Sequence, residues 1–322
     1  MHPHLNFPAV TLAGEAMATR FELVLPGTNT AALRAAGDEA LEEIRRLEST
    51  LSIYLPGTEL STVNARAFRE PVRVSPPVFN LLRQAQRIYE ETDGAFDITV
   101  APLLRCWGFM RGTGSLPDKQ ALADARSKVG MDKVELDAAN YTVRFQREGM
   151  MLDLGAIGKG YAIERAVQLL EEAGVQSALI HGGTSSVYGV GQPPDAEAWS
   201  IALDLPSGKT NEPARRLAVV PLKNTSLSVS AVWGKSFESG GQTYGHIIDP
   251  RTGEPSQQAV YCAIVLASAT EADALTTALL VAGVKGFQQI STLRHDLKSL
   301  VVCPGKIPER PVIKTSGIVL AK

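Results

Sequence analysis

Residues 20–25, Arg-Phe-Glu-Leu-Val-Leu, alternate polar and apolar before Pro26-Gly27, the pattern of a strand ending in a turn. The period then changes. Over residues 30–49, Leu33, Ala36, Ala40, Ile44 and Leu47 recur at three-to-four spacing with charge opposite, which predicts an amphipathic helix. A polar loop carrying Tyr54 leads into a shorter helical pattern over 59–65. Residues 75–91 predict a further helix, with Pro76 and Pro77 in its first turn and Leu81, Leu82, Ala85, Ile88 and Tyr89 along one face. From Asp93 to Leu103 the periodicity dissolves into a dense run of small and apolar residues.

The second half predicts helices over 158–173 and 270–282, and strands over 178–181, 186–190, 199–205, 217–221 and 259–267. Residues 193–197 and 207–213 have the composition of surface loops. Strands and helices do not alternate regularly, and no repeat or linker divides the chain, so the fold class is α+β with two lobes at most.

Composition narrows the partners. With 32 basic against 34 acidic residues and no basic block, the chain is not built to bind nucleic acid by counterion release. The longest apolar run, 278–284, is far short of the ~20 residues of a membrane span. The three cysteines, Cys106, Cys262 and Cys303, form no zinc pattern, and buried free thiols in a reducing compartment are expected. The first eight residues hold neither a basic nor an apolar leader segment, so a cytoplasmic location is expected.

Four constellations could carry chemistry. Asp153-Leu154-Gly155-Ala156-Ile157-Gly158-Lys159-Gly160 is a glycine-rich turn running into a helix, either a simple tight turn or a seat for an anion at the helix N-terminus. It matches neither the Walker nor the dinucleotide spacing. On the helix that starts near Thr270, Asp273 and Thr277 lie four apart and share a face. They offer a carboxylate and a hydroxyl to a hard cation such as Mg²⁺, or Asp273 simply complements the helix N-terminus. His246-Ile247-Ile248-Asp249-Pro250-Arg251-Thr252-Gly253 breaks a strand at a turn that Asp249 and Arg251 could clip, and His181 is the rival histidine. The fourth is Asp93-Gly94-Ala95-Phe96-Asp97, continuing to Trp107-Gly108-Phe109.

In this order, with Met17-Ala18-Thr19, residues 54–64 and Gly182-Gly183, these blocks resemble the ApbE family of flavin transferases over residues 17–283. The resemblance implies a single compact two-lobed α+β domain over 17–322, with mixed sheets and flanking helices, behind an N-terminal tail of residues 1–16. It implies cleavage of FAD at its pyrophosphate, esterification of FMN onto a Thr or Ser hydroxyl of an acceptor flavoprotein, and release of AMP. Mg²⁺ would bind the carbonyl of Ala156, the carboxylate of Asp273 and the hydroxyl of Thr277. FAD contacts would fall on Met17, Tyr54, Ala95, Phe96, Asp97, Asp153, Lys159 and Ile247, and His246 would be the base. Tyr54, Phe96 and Met17 are the expected walls for adenine. The same residues would equally serve water as acceptor, giving an FAD pyrophosphatase, or bind FAD without cleaving it. Four blocks depart from the usual family residues: Ala18 for Gly, Thr184 for Asp, Val229-Ser230-Ala231 for Thr-Ser-Gly, and Gly155-Ala156-Ile157-Gly158 for Gly-Gly-Ile-Ala.

Overall fold

The computed structural model describes residues 7–110, 112, 114–206, 214–305 and 311–321, and the loop expected over 207–213 lies outside them. Residues 9–16, assigned from sequence to a tail, instead form β1 (Ala9–Ala16), paired with β2 (Thr19–Pro26) across a two-residue turn at Met17-Ala18. Val10, Leu12 and Ala16 are buried at period two, and Gly14 interrupts that pattern in the sequence.

Next come α1 (Thr30–Leu51), capped by the Asn29 side chain, and α2 (Glu59–Arg66), capped by Thr58. A small sheet of β3 (Val72–Arg73), β4 (Val134–Asp137) and β5 (Thr142–Phe145) brackets α3 (Pro76–Glu91), α4 (Ala101–Cys106) and α5 (Lys119–Ser127). The helix α6 (Gly158–Glu172) leads into β6 (Ala178–Gly182) and β7 (Ser186–Val190). The hairpin β8 (Trp199–Leu205) and β9 (Arg215–Leu222) precedes β10 (Thr225–Ala231), then the hairpin β11 (Ser236–Ser239) and β12 (Gln242–Gly245). The chain closes with β13 (Tyr261–Leu266), α7 (Ala269–Ser291), β14 (Lys298–Cys303) and β15 (Val312–Ser316).

The main sheet has eight strands in the order β1-β2-β6-β7-β10-β13-β14-β15. Every strand pairing among the described residues is antiparallel rather than mixed in direction. α1, α6 and α7 cover one face, where Phe21, Leu23, Ile180 and Ile264 meet Ile44, Ile163 and Leu279. The β8–β9 hairpin covers the other, where Trp199, Leu203 and Leu217 pack on Leu227, Ala263, Val265 and Leu300. β13 is therefore buried on both sides at all six positions, the reason it reads as an unbroken apolar run. A third apolar cluster joins Leu103, Trp107 and Phe109 to Ile248, with Phe237 and Tyr244 of the β11–β12 hairpin packed against it.

α7 runs nine residues beyond its expected end at 282, but its track breaks at Gly283 (φ 57°, ψ −148°). A Cβ there would lie 2.7 Å from the Cβ of Gln258, so only glycine fits. Cys106, Cys262 and Cys303 are free; Cys262 is buried as expected and Cys303 is buried too, whereas Cys106, at the end of α4, is only partly buried. No helix among the described residues is long and apolar enough to cross a membrane.

Candidate active site

A cleft of about 950 Å³ gathers residues from the glycine-rich turn, from β10, from the Ala95-Phe96-Asp97 segment, from the β11–β12 hairpin and from α7. Every residue to which the family resemblance gives a metal, FAD or base role lines it except Met17. Met17 spends its backbone N–H on Glu48 Oε1 at 2.8 Å, and its neighbour Ala18 faces the cleft instead. His181, the rival histidine, pairs with Glu22 at 3.2 Å and is not among the lining residues.

Asp273 is 4% exposed, on the second turn of α7. Its Oδ2 accepts the Gly160 N–H at 3.0 Å and its Oδ1 the Ser228 hydroxyl at 3.3 Å, while Lys159 Nζ stands 3.8 Å away. The Gly160 bond matters beyond its own strength. Gly160 is the third residue of α6, so its N–H is one of the unpaired donors of the helix start, and Asp273 satisfies it. The Ala156 carbonyl accepts no hydrogen bond among the described residues. Thr276 turns its hydroxyl to Ser228 and to backbone carbonyls, leaving Thr277 to line the cleft. One buried carboxylate, one hydroxyl and one free carbonyl form a hard-oxygen set, which fits Mg²⁺ keeping part of its water shell.

The close approach of α6 and α7 depends on Gly160. A Cβ at that position would lie 2.2 Å from the carbonyl oxygen of Ala269 and 2.7 Å from the Cβ of Asp273. The turn before α6 is held from the other side by Asn64. Its amide donates to the Leu152 carbonyl at 2.9 Å and accepts the Leu152 N–H at 2.7 Å. Asp153 follows directly; its N–H reaches the Ile98 carbonyl, and its Oδ1 accepts the Gly155 N–H. Burial pushes the Asp153 carboxyl above its ordinary value, against the pull of the Gly155 N–H and of Lys159.

His246 closes the end of β12. Its backbone N–H donates to the Lys235 carbonyl, and its Nδ1 lies 3.1 Å from that same oxygen. A carbonyl only accepts, so Nδ1 carries the hydrogen and Nε2 keeps its lone pair. Burial lowers the pKa of the imidazole, the Lys235 carbonyl pulls it back, and the charges of Lys235 and Lys159 add to the lowering. The turn beyond it is clipped as the sequence suggested, with Arg251 bidentate on Asp249 at 2.8 Å and Trp107 Nε1 bonding the Gly253 carbonyl at 2.8 Å.

The expected adenine walls are placed differently. Phe96 is only 1% exposed, packed into the main core, and can offer the cleft no open face. Tyr54 is 64% exposed at the cleft. Asp97, also buried, accepts both the N–H and the hydroxyl of Thr99, yet burial still pushes its carboxyl up to about 6. Sequence reading missed Trp233, Lys235, Gly160 and Ser228, which flank or support these residues. The glycine was in view, as part of the turn, but its partner lies 113 residues away.

The cleft of this α+β domain thus brings together a buried carboxylate, a hydroxyl, a free carbonyl, a lysine, a helix start and a histidine. The ApbE family matches residues 17–301, and this chain belongs to that family. It is 30% identical to the FAD:protein FMN transferase of Haemophilus influenzae over 284 residues, covering 85% of this chain and 81% of the relative. It is 33% identical to the FAD:protein FMN transferase of Treponema pallidum over 266 residues, covering 79% and 73%. The fold superposes on the ApbE protein of Thermotoga maritima with a TM-score of 0.84 at 26% identity, covering 96% of this chain and 97% of that one. The Pseudomonas stutzeri flavinyl transferase ApbE, in its apo form, gives 0.83 at 25% identity, covering 96% and 95%.

Proposed function

We propose that this protein transfers the FMN moiety of FAD to a Thr or Ser hydroxyl of an acceptor protein, with Mg²⁺, releasing AMP. One observation carries the reading. The Asp273, Thr277 and Ala156 oxygens, Lys159 and the unprotonated Nε2 of His246 share a single cleft large enough for a dinucleotide.

The acceptor oxygen attacks the phosphorus on the FMN side of the pyrophosphate, its proton passes to His246 Nε2, and the bond to the AMP oxygen breaks. Bound at Ala156, Asp273 and Thr277, Mg²⁺ would supply neutralisation of pyrophosphate charge. Lys159 and the start of α6, where Ile157 provides no side-chain cap, add positive potential from the protein itself. The lowered pKa of His246 keeps the imidazole neutral at pH 7, ready to accept a proton. The Lys235 carbonyl holds the ring in the required tautomer and orientation.

The test is intact mass spectrometry after incubation with FAD, Mg²⁺ and a candidate acceptor. The acceptor should gain the mass of an FMN ester, and His246→Ala should lower the rate by about 10²- to 10⁴-fold. An Asp273→Ala variant that transfers normally would overturn the metal assignment. AMP release at the same rate without any acceptor would instead make the protein a pyrophosphatase.

A further inference from the structure

One aromatic wall of the cleft is used by none of these contacts. Trp233 stands two residues beyond the end of β10, lines the cleft and is 44% exposed. The other two tryptophans, Trp107 and Trp199, are buried. One face of the Trp233 indole is already covered. It stacks on Tyr261 with ring centroids 5.7 Å apart and planes 20° from parallel. Tyr261 is itself buried in β13, in the centre of the main sheet, and burial pushes its hydroxyl pKa upward. The indole is thus backed by a buried residue of a strand paired on both sides, although it sits on a connecting loop. The chain next to it runs close beside His246, where a Cβ on Gly234 would lie only 3.2 Å from Cε1. Ile201, Leu203 and Val229 line the cleft as well.

A half-exposed indole with one face fixed and the other turned to a cleft is arranged to receive a flat ring, since offset stacking at 4.5–7 Å is the favoured geometry between aromatics. FAD carries two such rings, one at each end of its pyrophosphate. We propose that Trp233, backed by Tyr261, is the stacking platform for a planar heteroaromatic ring of FAD. The assignment rests on the FMN-transfer reading for the identity of the ligand. Trp233 acts on substrate position and not on the phosphoryl step.

Calorimetric titration of the full chain, without acceptor, tests this. Dissociation constants for FAD, FMN and ADP are measured for the wild type, Trp233→Ala and Trp233→Phe. Trp233→Ala should weaken FAD binding about 10-fold, while Trp233→Phe, which keeps a ring, should stay within about threefold of wild type. The fragment that loses affinity by the same factor names the ring, FMN for isoalloxazine and ADP for adenine. In turnover, the KM for FAD should rise with kcat retained. An alanine variant that binds FAD like the wild type overturns the proposal, and so does a change confined to the KM for the acceptor protein. If the wild type binds FAD with the expected Trp233 dependence but transfers no FMN, the platform stands and the transfer reading falls. If the wild type binds no FAD, both fall.

Discussion

Ala18 is the residue at which sequence and backbone conflict most openly. Met17 and Ala18 are the central pair of a two-residue hairpin turn, with φ of 51° and 56°. Such turns demand positive φ at both positions, where a Cβ costs about 1–2 kcal/mol. Ala156 and Ala231, where alanine also replaces a usual family glycine, do not have positive φ and carry no such cost. Ala18→Gly should therefore stabilise the fold by about 0.5–1 kcal/mol after the entropy of glycine in the unfolded chain is deducted. At this chain length that is a rise in Tm of about 1–2 °C, readable by calorimetry. An unchanged or lowered Tm would remove the claim of strain. The sequence showed the alanine; only the turn geometry shows its cost.

Between elements, the decisive contact is α6 against α7. Gly158 and Gly160 look alike in sequence, yet a Cβ on Gly158 meets nothing nearer than 3.9 Å, while one on Gly160 runs into the Ala269 carbonyl. Gly160→Ala must push the helices apart and break the bond to Asp273, a cost of about 1–3 kcal/mol in overpacking alone. Gly158→Ala should be neutral or mildly stabilising, because alanine is the better helix former. Denaturant titration of the two variants, with the turnover of FAD measured on each, checks the contrast. Equal stabilities would show that the interface tolerates a methyl group. The helices themselves were legible from their period, α6 to within a residue and α7 as far as Gly283. Strands β1, β10, β14 and β15 were not, and the places of β10 and β14 in the sheet come from pairing with β13, some thirty or more residues away in sequence.

At the scale of the whole molecule, near-neutral overall charge coexists with buried charge at the cleft. Asp97 is the clearest case, with its pKa raised from 3.8 to about 6 by burial. The folded chain holds that proton more tightly than the unfolded one. Stability is therefore lost as pH rises from about 4 to about 6, and the loss at neutrality is about 3 kcal/mol. Asp97→Asn keeps an acceptor for the Thr99 N–H and hydroxyl and removes the charge. Melting curves from pH 4 to pH 8 should show the variant level with wild type at pH 4 and more stable above pH 6. A gap that does not grow with pH would show that Asp97 is not held as a strained carboxylate.

The order of the motifs, the helices α1, α2, α3, α6 and α7, and strands such as β2, β7 and β13 were legible from local information. Hydrophobic period, turn residues and residue types at short spacing act over a few residues, so they can be read along the chain. The working state of the site residues was decided only by the tertiary structure. The Gly160 N–H at the start of α6 finds its acceptor in Asp273, the His246 tautomer is fixed by a carbonyl eleven residues away, and Trp233 gains its backing from Tyr261. Each depends on groups that meet only when strands and helices take their places, and hydrogen-bond geometry and ring stacking carry no local pattern that a sequence could display.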